Sequence, residues 1–308
     1  MMHRFRAPSR SGIRALTIAL LAILALAYAG VVMLSLANAA ELKSFWPFSL
    51  VGLAGALVAN STGVGGGVVF VPVFSMLRET GQLALSPLQA VGISFAIQCF
   101  GMTIGGLTWL NRYYRKDVRS EEIAHRPMVG RIIAIVLTTA LPALLATQYL
   151  GRVDGDLAFL LFKVFSISLG VLLLAQILIL RRPHEDREIL ARADLYALPL
   201  IGLAGGAATA LFSVGVGELL ALMLFLRRYP VDVCVSTAVI ASAISVWTGV
   251  IFHIQSGHLV WEILLFAAPA VAVGGFLARR FAHWLGAFRL KLMTSIWIVG
   301  SSLVLILI

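Results

Sequence analysis

Charge is scarce in this chain. Asp, Glu, Lys and Arg make up 12% of its 308 residues, while 60% are hydrophobic. A soluble domain carries roughly 25% charged residues. So little charge cannot cover a water-facing surface, which excludes a soluble globular fold and implies a polytopic membrane protein. Cysteine is nearly missing: Cys99 and Cys234 both lie inside apolar stretches. With no CxxC and no metal-ligand spacing, neither a disulfide framework nor a metal site is expected, and the two thiols read as small core side chains. Acids are scarcer than bases, 14 against 24, for a net charge of +10. That excess would suit nucleic acid if it formed one face, but the basic residues lie in short connections between apolar spans. The glycines of Gly63-Val64-Gly65-Gly66-Gly67 do not make a nucleotide loop, because the strand, helix and soluble βαβ unit such a loop needs are missing. ATP would require a separate subunit, and no cofactor and no nucleic-acid partner is implied.

What the chain does have is long apolar sequence with two polar interruptions. Residues 48–77 carry no charge, yet Asn60-Ser61-Thr62-Gly63-Val64-Gly65-Gly66-Gly67 sits in their middle and Pro72 follows. Each glycine costs a helix roughly 1 kcal/mol relative to alanine, so the segment is predicted to form two half-helices joined by unwound backbone. Non-helical backbone at membrane depth is tolerated only where protein buries it or water reaches it. A Gly-interrupted apolar segment that recurs in the other half of the chain points to a transporter binding site, and here it recurs at 195–226.

The remaining spans are expected at 15–37, 86–110, 132–150, 157–180, 233–255, 260–278 and 290–308, the first long enough to cross a hydrocarbon core of ~30 Å. Ala37-Asn38-Ala39 has the form of a signal-peptidase site, but the preceding apolar run is longer than the roughly 7–15 residues of a signal core, which favours an uncleaved helix. The predicted organisation is a basic N-terminus, expected to be disordered at its start, with an extra transmembrane helix (1–40), a first membrane repeat (41–182), a cytoplasmic linker (183–194) and a second repeat (195–308). Basic residues cluster in the N-terminus and in 111–131, 181–194 and 279–291, so these are placed inside. Parity then requires each broken segment to cross an even number of times, as a re-entrant hairpin or two short crossings. The first opens from outside and the second from inside. The protein is expected in the bacterial inner membrane as a multi-pass protein, with its N-terminus cytoplasmic and its C-terminus outside.

Three correspondences support the repeat. Ser86-Pro87-Leu88-Gln89-Ala90-Val91-Gly92-Ile93-Ser94 matches Tyr229-Pro230-Val231-Asp232-Val233-Cys234-Val235-Ser236-Thr237 in pattern, Pro142 matches Pro269, and Gly63-Val64-Gly65 has a partner in Ser213-Val214-Gly215-Val216-Gly217. Their common order predicts an all-α polytopic membrane protein with two inverted-topology repeats. Each repeat starts with a broken or re-entrant Gly-rich helix, and an N-terminal transmembrane helix is added.

The breaks supply the candidate site. Unwound glycines expose backbone N–H groups, and the half-helix beginning near Val68 aims the positive end of its dipole at the break. Together these bind an anion without a charged side chain. Asn60, Ser61, Thr62, Gly63, Gly65, Gly66 and Gly67 are the candidate substrate-binding residues of the first break; the structural alternative is that they cap half-helix ends. Ser213, Gly215 and Gly217 are their counterparts in the second. Ser94, Gln98, Ser236 and Thr237, on the helices that follow, face the site or else bond neighbouring helices. Glu218 stands where the first break has an apolar residue. An intramembrane carboxyl is a functional hypothesis by default; it is the candidate proton carrier, the alternative being a pair with Lys163, Arg227 or Arg228. Lys163 reads as snorkelling to the outer surface, and His253 and Glu262 as interfacial.

The chain resembles the sulfite exporter TauE/SafE family of bacterial permeases. The likeness rests on Thr62-Gly63-Val64-Gly65-Gly66-Gly67, Val71-Pro72 and Ala90-Val91-Gly92-Ile93-Ser94, then on Ser213-Val214-Gly215-Val216-Gly217 and Val235-Ser236-Thr237. The second motif lacks the triple glycine and the following proline. The resemblance implies an inner-membrane protein that moves small anions, with sulfite and sulfonates as associated substrates. The expected function is a secondary transporter and exporter of such an anion, by alternating access with proton coupling. The other classes weighed are a passive anion channel, a non-transporting membrane scaffold, and an intramembrane enzyme, for which no nucleophile–base spacing exists. Expected partners are a small anion, membrane lipid and protons; a homo-oligomer is left open.

Overall fold

The computed structural model describes residues 10–114, 120–151, 155–179 and 187–307. The basic start at 1–9 and linker residues 183–186 lie outside the described residues. Everything regular among the described residues is helical. Helix α1 (Arg10–Ser35) tightens into a 3₁₀ stretch, Leu36–Phe45. Then come α2 (Pro47–Thr62), α3 (Gly67–Glu79), α4 (Pro87–Arg112), α5 (Ser120–Leu150), α6 (Gly155–Ile179), α7 (Arg192–Phe212), α8 (Val216–Leu226), α9 (Val231–Gln255), α10 (Trp261–Leu285) and α11 (Ala287–Leu307). Seven helices among the described residues are long and apolar enough to cross a membrane: α1, α4, α5, α7, α9, α10 and the 42–62 stretch that contains α2. The chain is an all-α polytopic membrane protein. Helices α6 and α11, read from sequence as spans, run for 25 and 21 residues.

Two connections differ from the sequence expectation. The stretch 111–131 is helical from Ser120, and 279–291 holds a break of one residue, Gly286, at a φ of 76°. Hydropathy marks where a helix meets hydrocarbon, not where it ends, and Glu, Arg and Ala continue it into water at little cost. The extended start of α5 is pinned: His125 Nδ1 lies 3.1 Å from Asp232 Oδ2, and the Arg126 guanidinium sits 4.5 Å from the centre of the Tyr114 ring.

Helices α4 and α9 form the axis. The apolar window of α4 is 94% buried against 11% for α1, so α1 lies at the periphery. The halves exchange partners around that axis. Helix α2 packs along α10, and α5 along α7; α10 also packs on α4, and α5 on α9; α6 packs on α11. Lipid tails are as apolar as leucine, so helices associate in a bilayer through close packing of small residues. Gly274 of α10 lies where a Cβ would sit 2.7 Å from the Leu53 carbonyl oxygen of α2, and a Cβ on Gly206 of α7 would overlap the Ala140 carbonyl of α5. One core joins Ile132 and Val136 of α5 to Leu198, Leu220 and Leu224. Another joins Ala56 of α2, Ile93 and Ile97 of α4, and Ala267 and Val271 of α10. A third wraps the first break with Val64, Val68, Phe162, Phe212 and Val214.

Candidate functional site

Both broken segments break where the glycine pattern puts the interruption, and by the same local chemistry. Helix α2 stops at Gly63, which adopts a left-handed φ of 77° and donates its N–H to Ala59 O. Helix α7 stops at Ser213, at a left-handed φ of 59°, whose N–H bonds Thr209 O. A left-handed residue closing a helix is the usual C-terminal stop, normally glycine, and a serine there is uncommon. In each break a threonine hydroxyl accepts a backbone N–H just past the stop: Thr62 Oγ1 from Val64 N at 3.2 Å, and Thr209 Oγ1 from Val216 N at 3.0 Å. Helices α3 and α8 then begin, and the first N–H groups of each lack intrahelical partners.

The two breaks meet. A Cβ on Gly67 would overlap the Ser213 carbonyl and the Val214 side chain, and one on Gly65 would lie 2.6 Å from Glu218 Oε1. A Cβ on Gly217 would in turn overlap the Ser242 hydroxyl and lie 3.3 Å from the Gly63 carbonyl oxygen. Gln98 of α4 ties the halves together: its Nε2 donates to Ser213 Oγ at 2.7 Å, to Ser213 O at 3.2 Å and to Ser94 Oγ at 3.1 Å. Around this contact is a small cavity lined by Gly65, Gln98, Ser213, Gly215 and Glu218. Thr209, Val216, Ser242, Ser245 and Val246 complete its wall.

Glu218 is 2% exposed. Its Oε2 accepts the Gly215 N–H at 2.7 Å, closing the first turn of α8, where a negative side chain also suits the helix dipole. Its Oε1 is buried with no hydrogen-bond partner among the described residues. The basic partner weighed from sequence is not found there: Arg227 Nε bonds Asp194 Oδ1 at 2.7 Å. Lys163 is half-buried on α6 and does not line the cavity.

The remaining candidates divide. Ser94 reaches the site through Gln98. Gly63, Gly66 and Gly67 shape the crossing without lining the cavity. Asn60 faces the other way: its amide donates to Ala56 O, its backbone carbonyl accepts from Trp109 Nε1, and its Oδ1 is wedged against Gly105. Ser61 and Thr62 return their hydroxyls to Val58 O. Thr237 bonds Val233 O of its own helix. Ser236 joins Tyr113 at 2.9 Å, whose hydroxyl also donates to Asp232 O. His253, expected at an interface, is 1% exposed, its ring packed at a tilt on Phe95. Sequence reading missed Thr209, Ser242 and Ser245. The available signal was their spacing: Thr209 precedes Ser213 by one turn, and Ser242 and Ser245 are three residues apart on α9.

The family model described as sulfite exporter TauE/SafE matches residues 48–305, which span both breaks and every wall of the cavity. The chain belongs to the sulfite exporter TauE/SafE family. It is also similar to the probable membrane transporter protein YunE of Bacillus subtilis (strain 168), with 26% identity over 285 residues, 86% of this chain and 96% of that protein. No solved structure matches. Within this family, the chain is a membrane transporter.

Proposed function

We propose that this TauE/SafE protein exports a small anion, sulfite or an organosulfonate, as a proton-coupled secondary transporter working by alternating access, and that it is not an enzyme. The observation that carries the reading is the meeting of the two breaks: two half-helix N-termini and the Gln98 amide converge on one polar cavity beside Glu218. Helix N-termini attract anions through unpaired N–H groups and the dipole.

The two breaks differ in what they offer. At the second, Glu218 already occupies the anion position of its own helix. The first carries no acidic residue of its own, and Glu218 Oε1 reaches it only across the site, beside Gly65; protonation of Glu218 leaves this N-terminus to substrate. An ionised Glu218 repels an arriving anion; a protonated one can donate a hydrogen bond to it. Proton and anion therefore bind together and move in the same direction. A sulfite dianion with one proton carries one net negative charge, whose exit an inside-negative potential favours by about 2.3 kcal/mol per 100 mV. A sulfonate monoanion moves electroneutrally, down its own gradient.

The exchange of α2 onto α10 and α5 onto α7 supports reading the halves as inverted repeats, since swapping the halves exchanges these two pairs. Rocking of one half against the other opens the cavity to alternate sides. Basic clusters at the expected inner connections support an inner-membrane protein with a cytoplasmic N-terminus and an outer C-terminus.

The test is flux in proteoliposomes against sulfite, sulfate, thiosulfate, taurine, sulfoacetate and acetate, with and without an imposed pH gradient. Saturable flux of a sulfur anion with proton movement in the same direction is expected. Flux that does not saturate makes the protein a channel, and silence toward every anion by folded protein overturns the substrate.

A further inference from the structure

At the far end of α9 from Asp232 is a second buried polar cluster that the anion cavity does not include. His253 Nδ1 lies 3.2 Å from His258 Nδ1 in the loop leading to α10, so one ring donates and the other accepts. His258 is partly exposed. The other nitrogen of His253, Nε2, is fully buried and has no hydrogen-bond partner among the described residues. One turn back along α9, Gln148 of α5 donates Nε2 to the Gly249 carbonyl at 3.1 Å, and its Oε1 is likewise buried without a partner. The Phe95 ring packs on both Gly249 and His253. Another turn back, Ser245 is in the wall of the anion cavity, where Glu218 Oε1 is the third unpartnered atom.

Ser245, Gly249 and His253 are four residues apart and share one face of α9. His253 is therefore about 12 Å from the cavity wall along the helix, a distance a short file of waters spans. Unpaired buried polar atoms are costly, and three of them in sequence mark a path that water or a proton satisfies in turn. We infer that His258, His253 and Gln148 form the route by which Glu218 exchanges its proton with the outer side of the membrane. This rests on the proton-coupled reading above, and on the charge distribution that places the 256–259 connection outside.

The surroundings suit a relay. Two further titratable groups at this end are Tyr149, whose hydroxyl bonds Gln255 Oε1 at 2.9 Å, and Glu262 in the first turn of α10. Helix α4 presents Gly92 and Phe95 to the pair. Burial holds the His258 imidazole below its ordinary range. It is thus neutral at pH 7, with one N–H and one lone pair, the form that accepts a proton on one nitrogen and releases it from the other. No bond other than N–H and O–H changes along the route.

The experiment follows protons and anion together in proteoliposomes of full-length protein, using a pH dye and sulfite. His253→Phe keeps a ring packed on Phe95 and removes both nitrogens. The expected result is loss of the proton movement that accompanies net sulfite flux, with sulfite–sulfite exchange at equal pH retained. His258→Ala, on the partly exposed loop, is expected to slow proton release, and imidazole added outside to restore it. Wild-type proton movement in both variants overturns the route while leaving the coupled transporter standing. Wild-type protein that moves sulfite without protons overturns the coupling reading, and the route with it.

Discussion

Gly65 and Glu218 face one another across the site, and each limits what the other position tolerates. A Cβ on Gly65 falls 2.6 Å from Glu218 Oε1 and 3.4 Å from Gln98 Oε1. Gly65→Val thus pushes a branched side chain against Glu218 and Gln98 in the cavity wall, away from the glycine faces on which α2 and α10, and α5 and α7, pack. Transport is expected to be abolished while the amount of protein in the membrane stays at the wild-type level, read by flux and by quantitative blotting. Glu218→Gln keeps an oxygen to accept the Gly215 N–H but holds no exchangeable charge. Its flux is expected to lose its dependence on an imposed pH gradient; unchanged pH dependence makes the glutamate structural. Both residues were legible in the sequence, one as part of a glycine cluster and one as an acid in an apolar run. Their contact was not, because more than 150 positions separate them.

At the scale of elements, a half-helix must be stopped and restarted without leaving polar backbone bare at membrane depth. Gly63 and Ser213 stop α2 and α7 in the left-handed region, and Thr62 and Thr209 take up the next N–H groups. Losing such a hydroxyl costs about 1 kcal/mol. Thr62→Val and Thr209→Val are each expected to lower thermal stability in detergent by that order, measured as a shift in unfolding midpoint. If both variants melt like wild type, the caps carry no stability. The sequence located both breaks. It missed the helical extension of α5 to Ser120, because a charged helix end outside hydrocarbon has the composition of a loop. It also missed the clamp at the start of α7, where buried Asp194 holds Arg227 and the Tyr229 hydroxyl.

For the molecule as a whole, assembly depends on glycine faces that let helices from opposite halves approach. Gly206 faces the Ala140 carbonyl and Gly274 the Leu53 carbonyl. Gly300, on α11, has nothing within 4 Å of a built Cβ. Gly206→Leu and Gly274→Leu are each expected to abolish folded protein, and Gly300→Leu to leave it intact, as read by size-exclusion profiles of detergent extracts. Equal behaviour of the three would mean that close approach does not hold the halves together. Overpacking a dense interface typically costs 1–3 kcal/mol and more where backbone must move.

The amino-acid sequence alone determined that this chain lives in a membrane, where its helices break, which segments can span, and to which family it is similar. The first three follow from composition and local periodicity, which act over a turn or two of chain; the family likeness rests on the motifs at the two breaks. The tertiary structure decided which of the flagged polar residues share a cavity. It put Gln98 on Ser213 and Gly65 on Glu218, turned Asn60, Ser236 and Thr237 elsewhere, and added Thr209, Ser242 and Ser245. The reason is rotational. In a helix apolar nearly all round, no hydrophobic stripe tells which face is inward, so only the packing of α4 and α9 against the two breaks could choose.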